Sequence, residues 1–154
     1  MRVSLPVEFE VMTELRAGLT DFALCREMWI DWAHPNSAGW FILHSINLAD
    51  PHFDGLGGVY VIWCSGLRAA TVRVGQGVVR SRLSSHRTNP MIQRYDHIYG
   101  PLYVSWAEVP KHCRNGVERY LGLMLKPAVG RLFPAVDPIK VNLPWQSATN
   151  RQAV

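Results

Sequence analysis

The segment "GVYVIWCSGLRAATVRVGQGVVRSRLSSHR", residues 58–87, decides the fold of this chain. Residues 58–64 and 70–76 are rich in β-branched and aromatic side chains, and "SGLRA" between them is typical of a hairpin turn. The glycines that follow predict a tight bend or a close approach of the backbone to something else. A helix is then predicted from about Val78 to His86. We therefore expect a hairpin, then a glycine turn, and then a short helix.

The rest of the chain favours an α+β fold with a small three-stranded, mainly antiparallel sheet flanked by helices. Residues 102–109, "LYVSWAEV", predict the third strand because apolar and polar side chains alternate. Residues 110–127 predict a helix that has Pro110 near its start and Pro127 as its end. Residues 88–101 are expected to be a loop, and residues 128–145 to be mostly loop with a short strand near Val141.

Three regions are expected along the chain: an extension of residues 1–55 that packs on the core, a core of residues 56–145, and a tail of residues 146–154. Within the extension, apolar residues recur at three- and four-residue intervals in residues 7–32, which predicts a helix. "GWFILHSINL", residues 39–48, predicts a strand. Our default expectation is that this acidic extension packs on the sheet as an extra helix and strand. The alternatives are that it shields the basic surface or binds a partner subunit.

The composition predicts a protein of the cytoplasm. No run of apolar residues is long enough to span a membrane, and acidic residues near the start stand where a signal peptide needs an apolar segment. Cys25, Cys64 and Cys113 are odd in number and far apart in sequence. Such cysteines are more typical of reduced thiols than of a disulfide framework or a zinc site.

The charges are segregated along the chain. No acidic residue lies between Asp54 and Asp96, whereas the same segment holds the arginines Arg68, Arg73, Arg80, Arg82, Arg87 and Arg94. A basic patch of this kind attracts anionic partners because it sets the local electric field. The alternative is an ordinary solvated surface.

Individual side chains suggest a site. Arg82 and His86 are four residues apart on the predicted helix, so they share a face suited to holding a phosphate. Glu118 borders an apolar helical stripe, and Gly122 one turn later leaves space above its carboxylate, which favours a divalent cation. The alternative for Arg82 and His86 is a solvated basic pair, and the alternative for Glu118 is an ion pair on the helix surface. Tyr60 is a strand residue that arginines would have to activate as a base by lowering the pKa of its hydroxyl.

Five motifs occur in an order that resembles the GIY-YIG nuclease family. They are "GVYVIW", "VRVGQG", "RLSSHR", "GVERYLGLMLKP" and "VNLP", and they span roughly Gly57 to Pro144. The resemblance implies a metal-dependent endonuclease that hydrolyses DNA phosphodiester bonds with one Mg²⁺ or Mn²⁺ ion. It also implies that Tyr60, Arg82, His86 and Asn142 are catalytic and that Glu118 holds the metal.

The second motif departs from the family pattern, because Arg73 stands where the family has a tyrosine. One interpretation is that Arg73 points into the site, lowers the pKa of the Tyr60 hydroxyl and donates to the phosphate, so that it is catalytic as well. The other is that the chain binds nucleic acid without cutting it. Under either interpretation Arg68, Arg80, Arg87 and Arg94 are expected to contact the DNA backbone, with little sequence specificity.

Overall fold

The computed structural model describes residues 25–65 and 69–146. Within them, a four-stranded antiparallel sheet has the order β1 (Phe41–Ile42), β4 (Leu102–Glu108), β2 (Gly57–Cys64), β3 (Ala70–Val78). The helices of this part are α1 (Val79–His86), α2 (Pro90–Tyr99), α3 (Arg114–Leu125) and a short 3-10 helix, Pro51–Phe53. The α+β class is confirmed. The three strands predicted for the core are present as β2, β3 and β4, and β1, within the strand predicted for residues 39–48 of the extension, adds a fourth at the edge.

The predicted hairpin and helix are present with bounds close to the expected ones. β2 pairs with β3 on one side and with β4 on the other, and seven of its eight residues are buried. This central position explains its nearly continuous run of apolar residues. α1 follows β3 without a loop, whereas a glycine turn was predicted between them, because β3 includes both glycines and continues to Val78. The centre of the hairpin turn, residues 66–68, lies outside the described residues.

Helices cover both faces of the sheet. Alternate residues of a strand point to opposite faces, so β2 contributes to two apolar clusters. One cluster contains Tyr60 and Ile62 with residues of α1 and α2, and the other contains Val59 and Val61 with residues of α3. Each fully buried aliphatic side chain stabilises the fold by roughly 1.5–3 kcal/mol relative to exposure. The two clusters fix the helices, and therefore the side chains that those helices carry, against the hairpin.

The expectation of a loop over residues 88–101 was wrong, because α2 occupies most of that segment. Asn89 caps the helix by accepting a hydrogen bond from the Met91 amide at 3.0 Å, and Pro90 occupies the first turn. Gly100 ends it with a φ of 90°. The buried Ile92 anchors this helix to the sheet. The asparagine–proline pair is thus a helix start here rather than a loop signal.

α3 ends where Pro127 required, but it begins later than the sequence predicted. Residues 111–113 form a turn, and the first helical residue is Arg114. Beyond α3, residues 128–145 are mostly irregular, as expected, and the predicted short strand is a single parallel bridge between Lys140 and Glu27. Ala128 and Val129 donate backbone hydrogen bonds to Thr71 and Val72 on β3.

The predictions for the extension were mostly wrong where the structure describes it. Most of the helix predicted for residues 7–32 lies outside the described residues, and residues 25–32 are not helical. Residues 28–32 are instead held against residues 140–142 by backbone and side-chain hydrogen bonds. Of the strand predicted for residues 39–48, only Phe41–Ile42 pairs, with β4. In the described ranges there is no helix with the length and apolar character needed to cross a membrane.

Candidate active site

The hairpin places Tyr60 directly opposite Gly75. In the register of β2 and β3, Tyr60 pairs with Gly75 and Ile62 with Arg73, so Tyr60, Gly75 and Arg73 share one sheet face. A Cβ atom at position 75 would lie 2.1 Å from the Tyr60 hydroxyl oxygen, which is far inside van der Waals contact. Only glycine leaves space for the phenol to lie across β3 at this point. The close approach that the glycine predicted is therefore an approach of the Tyr60 side chain.

Helix α1 brings Arg82 and His86 to the same face. The Tyr60 hydroxyl oxygen and His86 Nε2 are hydrogen-bonded at 2.6 Å. His86 is only 8% exposed, whereas Arg82 is exposed to solvent. The Arg82 side chain lies over Gly77, where a Cβ atom would be 3.1 Å from its Nε. The helix thus presents a buried imidazole to the phenol and a guanidinium to solvent above it.

The imidazole of His86 is neutral at physiological pH. Burial, followed by the positive charges of Arg73 and Arg82, lowers its pKa to about 4. Its Nδ1 atom is buried and has no hydrogen-bond partner among the described residues. The sequence suggested that Arg82 and His86 together hold a phosphate. In the structure His86 is instead hydrogen-bonded to Tyr60, so it is a neutral partner of the phenol and not a cation that faces a phosphate.

Arg73 points towards the phenol, as the first of the two interpretations of its position required. It donates a hydrogen bond to Tyr60 and acts electrostatically on Tyr60 and His86. Its Nη1 also donates to the Val129 carbonyl at 3.4 Å, and its buried Nε has no partner within residues 25–65 and 69–146. Gly130 leaves the space for it, because a Cβ atom there would lie 1.1 Å from Nη1.

Helix α3 contributes Glu118 from the opposite side. The carboxylate is half-buried and acts electrostatically on Tyr60, and both Arg73 and Arg82 act on it in turn. Gln76 of β3 donates a hydrogen bond to Asn115 Oδ1 at 2.9 Å, one turn before Glu118, and also bonds to the Glu118 carboxylate. Gln76 therefore links the end of the hairpin to the helix that carries the acid.

The pKa values of Tyr60 and Glu118 are both raised, and burial is the largest cause in each case. For Tyr60, desolvation by burial raises the pKa of the hydroxyl by more than the nearby arginines lower it. Arg73 lowers this pKa through its charge and its hydrogen bond, and Arg82 lowers it through its charge. The expectation that surrounding arginines lower the pKa of this hydroxyl below its ordinary value was wrong. The phenol is 1% exposed, which is why burial outweighs the nearby charges.

The structure thus brings together five of the predicted site residues from three separate elements. Tyr60 and Arg73 come from the hairpin, Arg82 and His86 from α1, and Glu118 from α3. Two guanidinium groups, a carboxylate and a phenol near one another can bind an oxyanion and move a proton. Electrostatic effects among these groups connect each of them to at least one other.

The metal-binding capacity of this cluster is limited to a single carboxylate. Over residues 25–65 and 69–146, no group of three or more His, Cys, Asp or Glu side chains is placed to hold a metal ion. Mg²⁺ commonly retains several waters and uses one or two carboxylates together with the phosphates of a substrate. Glu118 fits that mode of binding, in which the substrate completes the coordination.

Asn142 is not part of this cluster, contrary to what the resemblance implied. Its Oδ1 accepts from the Ile30 amide at 2.8 Å, its Nδ2 donates to the Ile30 carbonyl at 2.9 Å, and its own carbonyl accepts from Trp32 Nε1 at 2.8 Å. Both ends of the carboxamide are therefore occupied by one backbone segment. Asn142 fastens the extension to the core, on the sheet face that carries Val59 and Val61.

Two of the four peripheral arginines predicted to contact DNA, Arg80 and Arg87, are engaged in contacts within the protein. Arg80 donates to the Leu48 carbonyl at 2.7 Å and forms an ion pair with Asp54 at 2.6 Å. Arg87 donates to the carbonyls of Leu43 and Ile46. Both therefore hold the loop that precedes β2 against α1.

Two further arginines of the acid-free segment have different surroundings. Arg94 is exposed and its guanidinium lies 5.1 Å from the ring centroid of Tyr95. Arg68 lies outside the described residues. Of the four predicted DNA-contacting arginines, Arg94 is thus the one that the structure describes as exposed.

Sequence reasoning missed Gln76, Asn115 and Gly130. Gln76 lies between the two glycines of the second motif, and its position at the end of a strand was the only available signal. Gly130 lies in a segment with no regular structure, so nothing in the sequence connected it with Arg73. No protein-family model matches this chain, and no curated protein or solved structure is significantly similar to it.

Proposed function

We propose that this protein is a metal-dependent endonuclease that hydrolyses DNA phosphodiester bonds with little intrinsic sequence specificity. The observation that supports this most is the meeting of Tyr60, Arg73, Arg82, His86 and Glu118, which come from separate parts of the chain, around one buried phenol. An ion-pair network that serves only to stabilise the fold would not need a phenol hydrogen-bonded to an imidazole next to its two guanidinium groups. Perturbed groups gathered in this way are typical of active sites.

The finer assignment, a GIY-YIG-like core in residues 56–145, belongs to the same proposal. A sheet whose three longer strands have the order β4-β2-β3, flanked by helices that carry Arg82 and Glu118, supports it. We place the protein in the cytoplasm, because no disulfide joins any of the three described cysteines, as expected in a reducing compartment.

In the proposed reaction, Glu118 would hold Mg²⁺ or Mn²⁺. The ion would supply positive charge that polarises the phosphate and stabilises the departing oxygen. Arg82, exposed above the site, binds the phosphoryl oxygens as negative charge develops on them, and Arg73 adds a second donor from below. Removing one such donor commonly slows catalysis about 100- to 1,000-fold.

Tyr60 is the proposed base for the attacking water. Since burial holds its pKa above the ordinary value, the phenol is protonated at neutral pH. It must first give up its hydroxyl proton, which the neutral Nε2 of His86, hydrogen-bonded to it at 2.6 Å, would accept. Once the phenolate has formed, hydrogen bonds from Arg73 and from the Nε2–H group of His86 would both stabilise it. His86, whose Nε2 is hydrogen-bonded to the phenol, is thus assigned to positioning Tyr60 rather than to deprotonating the water directly.

A nicking assay on supercoiled plasmid with a panel of divalent metal ions tests this function. Wild type is expected to convert supercoiled to open-circular plasmid with Mg²⁺ or Mn²⁺, and to stop when EDTA is added. Arg82→Ala should slow the reaction about 100-fold or more. Arg131→Ala, at an exposed position in residues 128–145, should not slow it. Equal rates for wild type and Arg82→Ala would overturn the assignment.

The second candidate is a nucleic-acid-binding module that has lost catalysis. Arg73 in place of the family's tyrosine, and a phenol whose pKa is raised, are the observations that favour it. Such a module would bind plasmid or duplex DNA tightly without cutting it in any metal ion. Its affinity should still fall with salt, with a log–log slope of about −0.9 for each neutralised phosphate on duplex DNA.

A further inference from the structure

Two cysteines that are far apart in sequence lie side by side in the fold. Cys25 Sγ and Cys113 Sγ are 3.9 Å apart, although 88 positions separate them in the chain. Cys25 is partly exposed and Cys113 is 3% exposed. Cys64, the third cysteine, is buried in the other apolar cluster, where its thiol donates to the Ala70 carbonyl at 3.5 Å.

The backbone on both sides holds this pair in place. Next to Cys25, the Arg26 carbonyl accepts from the Lys140 amide at 2.9 Å. The Cys113 amide donates to the Pro110 carbonyl at 2.9 Å, and the Cys113 carbonyl accepts from the Val117 amide at 3.0 Å at the start of α3. The sulfurs must come about 2 Å closer to reach the bond length of a disulfide, near 2.05 Å. We expect rotation of the two side chains to supply this distance.

We propose that Cys25 and Cys113 form an oxidation site, at which a peroxide converts the two thiols into an intramolecular disulfide. In the first step the Cys25 thiolate attacks hydrogen peroxide, an S–O bond forms as the O–O bond breaks, and water leaves. In the second step the Cys113 sulfur displaces hydroxide from the Cys25 sulfenic acid, and a second water is formed. Two thiols and one peroxide thus give one disulfide and two waters.

Exposure sets the order of the two steps. Peroxide reaches Cys25 first because that thiol is accessible and Cys113 is not. Burial and the neighbouring Cys25 thiol raise the pKa of the Cys113 thiol, which makes it a weaker nucleophile towards peroxide. Cys113 is therefore the resolving cysteine of the pair.

The bond would join the extension to the helix of the candidate site. Cys113 is the residue before α3, and Glu118 lies on that helix. Residues 25–32 are already attached to the core through Asn142 and Lys140. Oxidation would add a covalent link between Cys25 of this segment and Cys113 to these hydrogen bonds. This inference does not depend on the proposed nuclease function.

The test is mass spectrometry of the native full-length chain after treatment with hydrogen peroxide, with the remaining thiols alkylated under denaturing conditions. Trypsin separates the three cysteines into residues 17–26, 27–68 and 112–114, because Arg16, Arg26, Arg68, Lys111 and Arg114 are the cleavage sites. The expected result is a linked pair of the first and third peptides, with Cys64 fully alkylated. Three alkylated thiols, a link that includes Cys64, or a disulfide between two chains would overturn the proposal.

Two variants control for misfolding and for the order of reaction. Cys64→Ser should retain the link, because Cys64 lies on the other face of the sheet. Cys25→Ser, at the partly exposed position, should leave Cys113 alkylatable after the same treatment. Consumption of Cys113 in Cys25→Ser at the wild-type rate would contradict the assignment of Cys25 as the residue oxidised first.

Discussion

Acid should destabilise this protein largely through one side chain, the buried imidazole of His86. Its pKa in the fold is about 4, against 6.5 for an ordinary histidine in an unfolded chain. The depressed value means that the neutral imidazole favours the fold above pH 6.5, and that this advantage is lost as the pH falls towards 4. From these two values, the free energy of unfolding should decrease by about 3 kcal/mol between pH 7 and pH 4 on account of His86 alone.

Urea unfolding followed by tryptophan fluorescence measures this quantity at each pH. The comparison is between wild type and His86→Gln, whose amide cannot titrate but can still bond to the Tyr60 hydroxyl. The difference in unfolding free energy between the two proteins should shift by about 3 kcal/mol over this pH range. His44→Gln, at an exposed histidine, is the matched control for loss of an imidazole.

The reasoning would be refuted if the unfolding free energies of wild type and His86→Gln changed in parallel with pH. That outcome would mean that the imidazole is protonated as easily in the fold as in the unfolded chain. Burial and the two neighbouring guanidinium groups would then not have the effect assigned to them.

Three further substitutions separate structural from catalytic roles. Gly75→Ala should destabilise the fold by about 1–3 kcal/mol in thermal unfolding, because its Cβ atom would overlap the Tyr60 hydroxyl; an unchanged melting temperature would contradict the close approach. Asn142→Ala should cost about 2–3 kcal/mol of unfolding free energy by leaving the Ile30 backbone groups unpaired, with no loss of cleavage rate per folded molecule; a specific loss of rate would restore a catalytic role. Gln76→Leu should raise the Mn²⁺ concentration needed for half-maximal nicking and weaken Mn²⁺ binding in electron paramagnetic resonance titrations, because Gln76 bonds to Glu118; Asn115→Leu should have a smaller effect. Identical titrations for Gln76→Leu and wild type would show that Gln76 does not orient Glu118.

The hairpin and α1 were predictable from sequence because local signals determine them. β-branched runs and glycines define β2 and β3, and their pairing follows from the short connection between them. α2 was missed because the turn-forming residues Asn89 and Pro90 also start helices, and local sequence does not distinguish the two outcomes. The short β1 was overpredicted because only two of the apolar residues in residues 39–48 meet a partner strand.

For the site, the sequence indicated which residue types were present but not how burial changes them. Charge alone suggested that Arg73 and Arg82 lower the pKa of the Tyr60 hydroxyl. The opposite net direction arises because the phenol is enclosed by the packing of β2, β3 and α1, which no local pattern reveals. Asn142 was assigned to the site by motif order, yet its partners are 110 and 112 positions away on the extension. Long-range contacts of this kind require the folded coordinates.

Single-turnover cleavage of a duplex DNA by Glu118→Gln tests the central claim most directly. The substitution removes the negative charge and retains the size of the side chain, and Glu108→Gln, at an exposed position of β4, is the matched control. The account predicts that Glu118→Gln cuts at least 100-fold more slowly than wild type in saturating Mn²⁺ and that Glu108→Gln cuts normally. Cleavage by Glu118→Gln at the wild-type rate would contradict it.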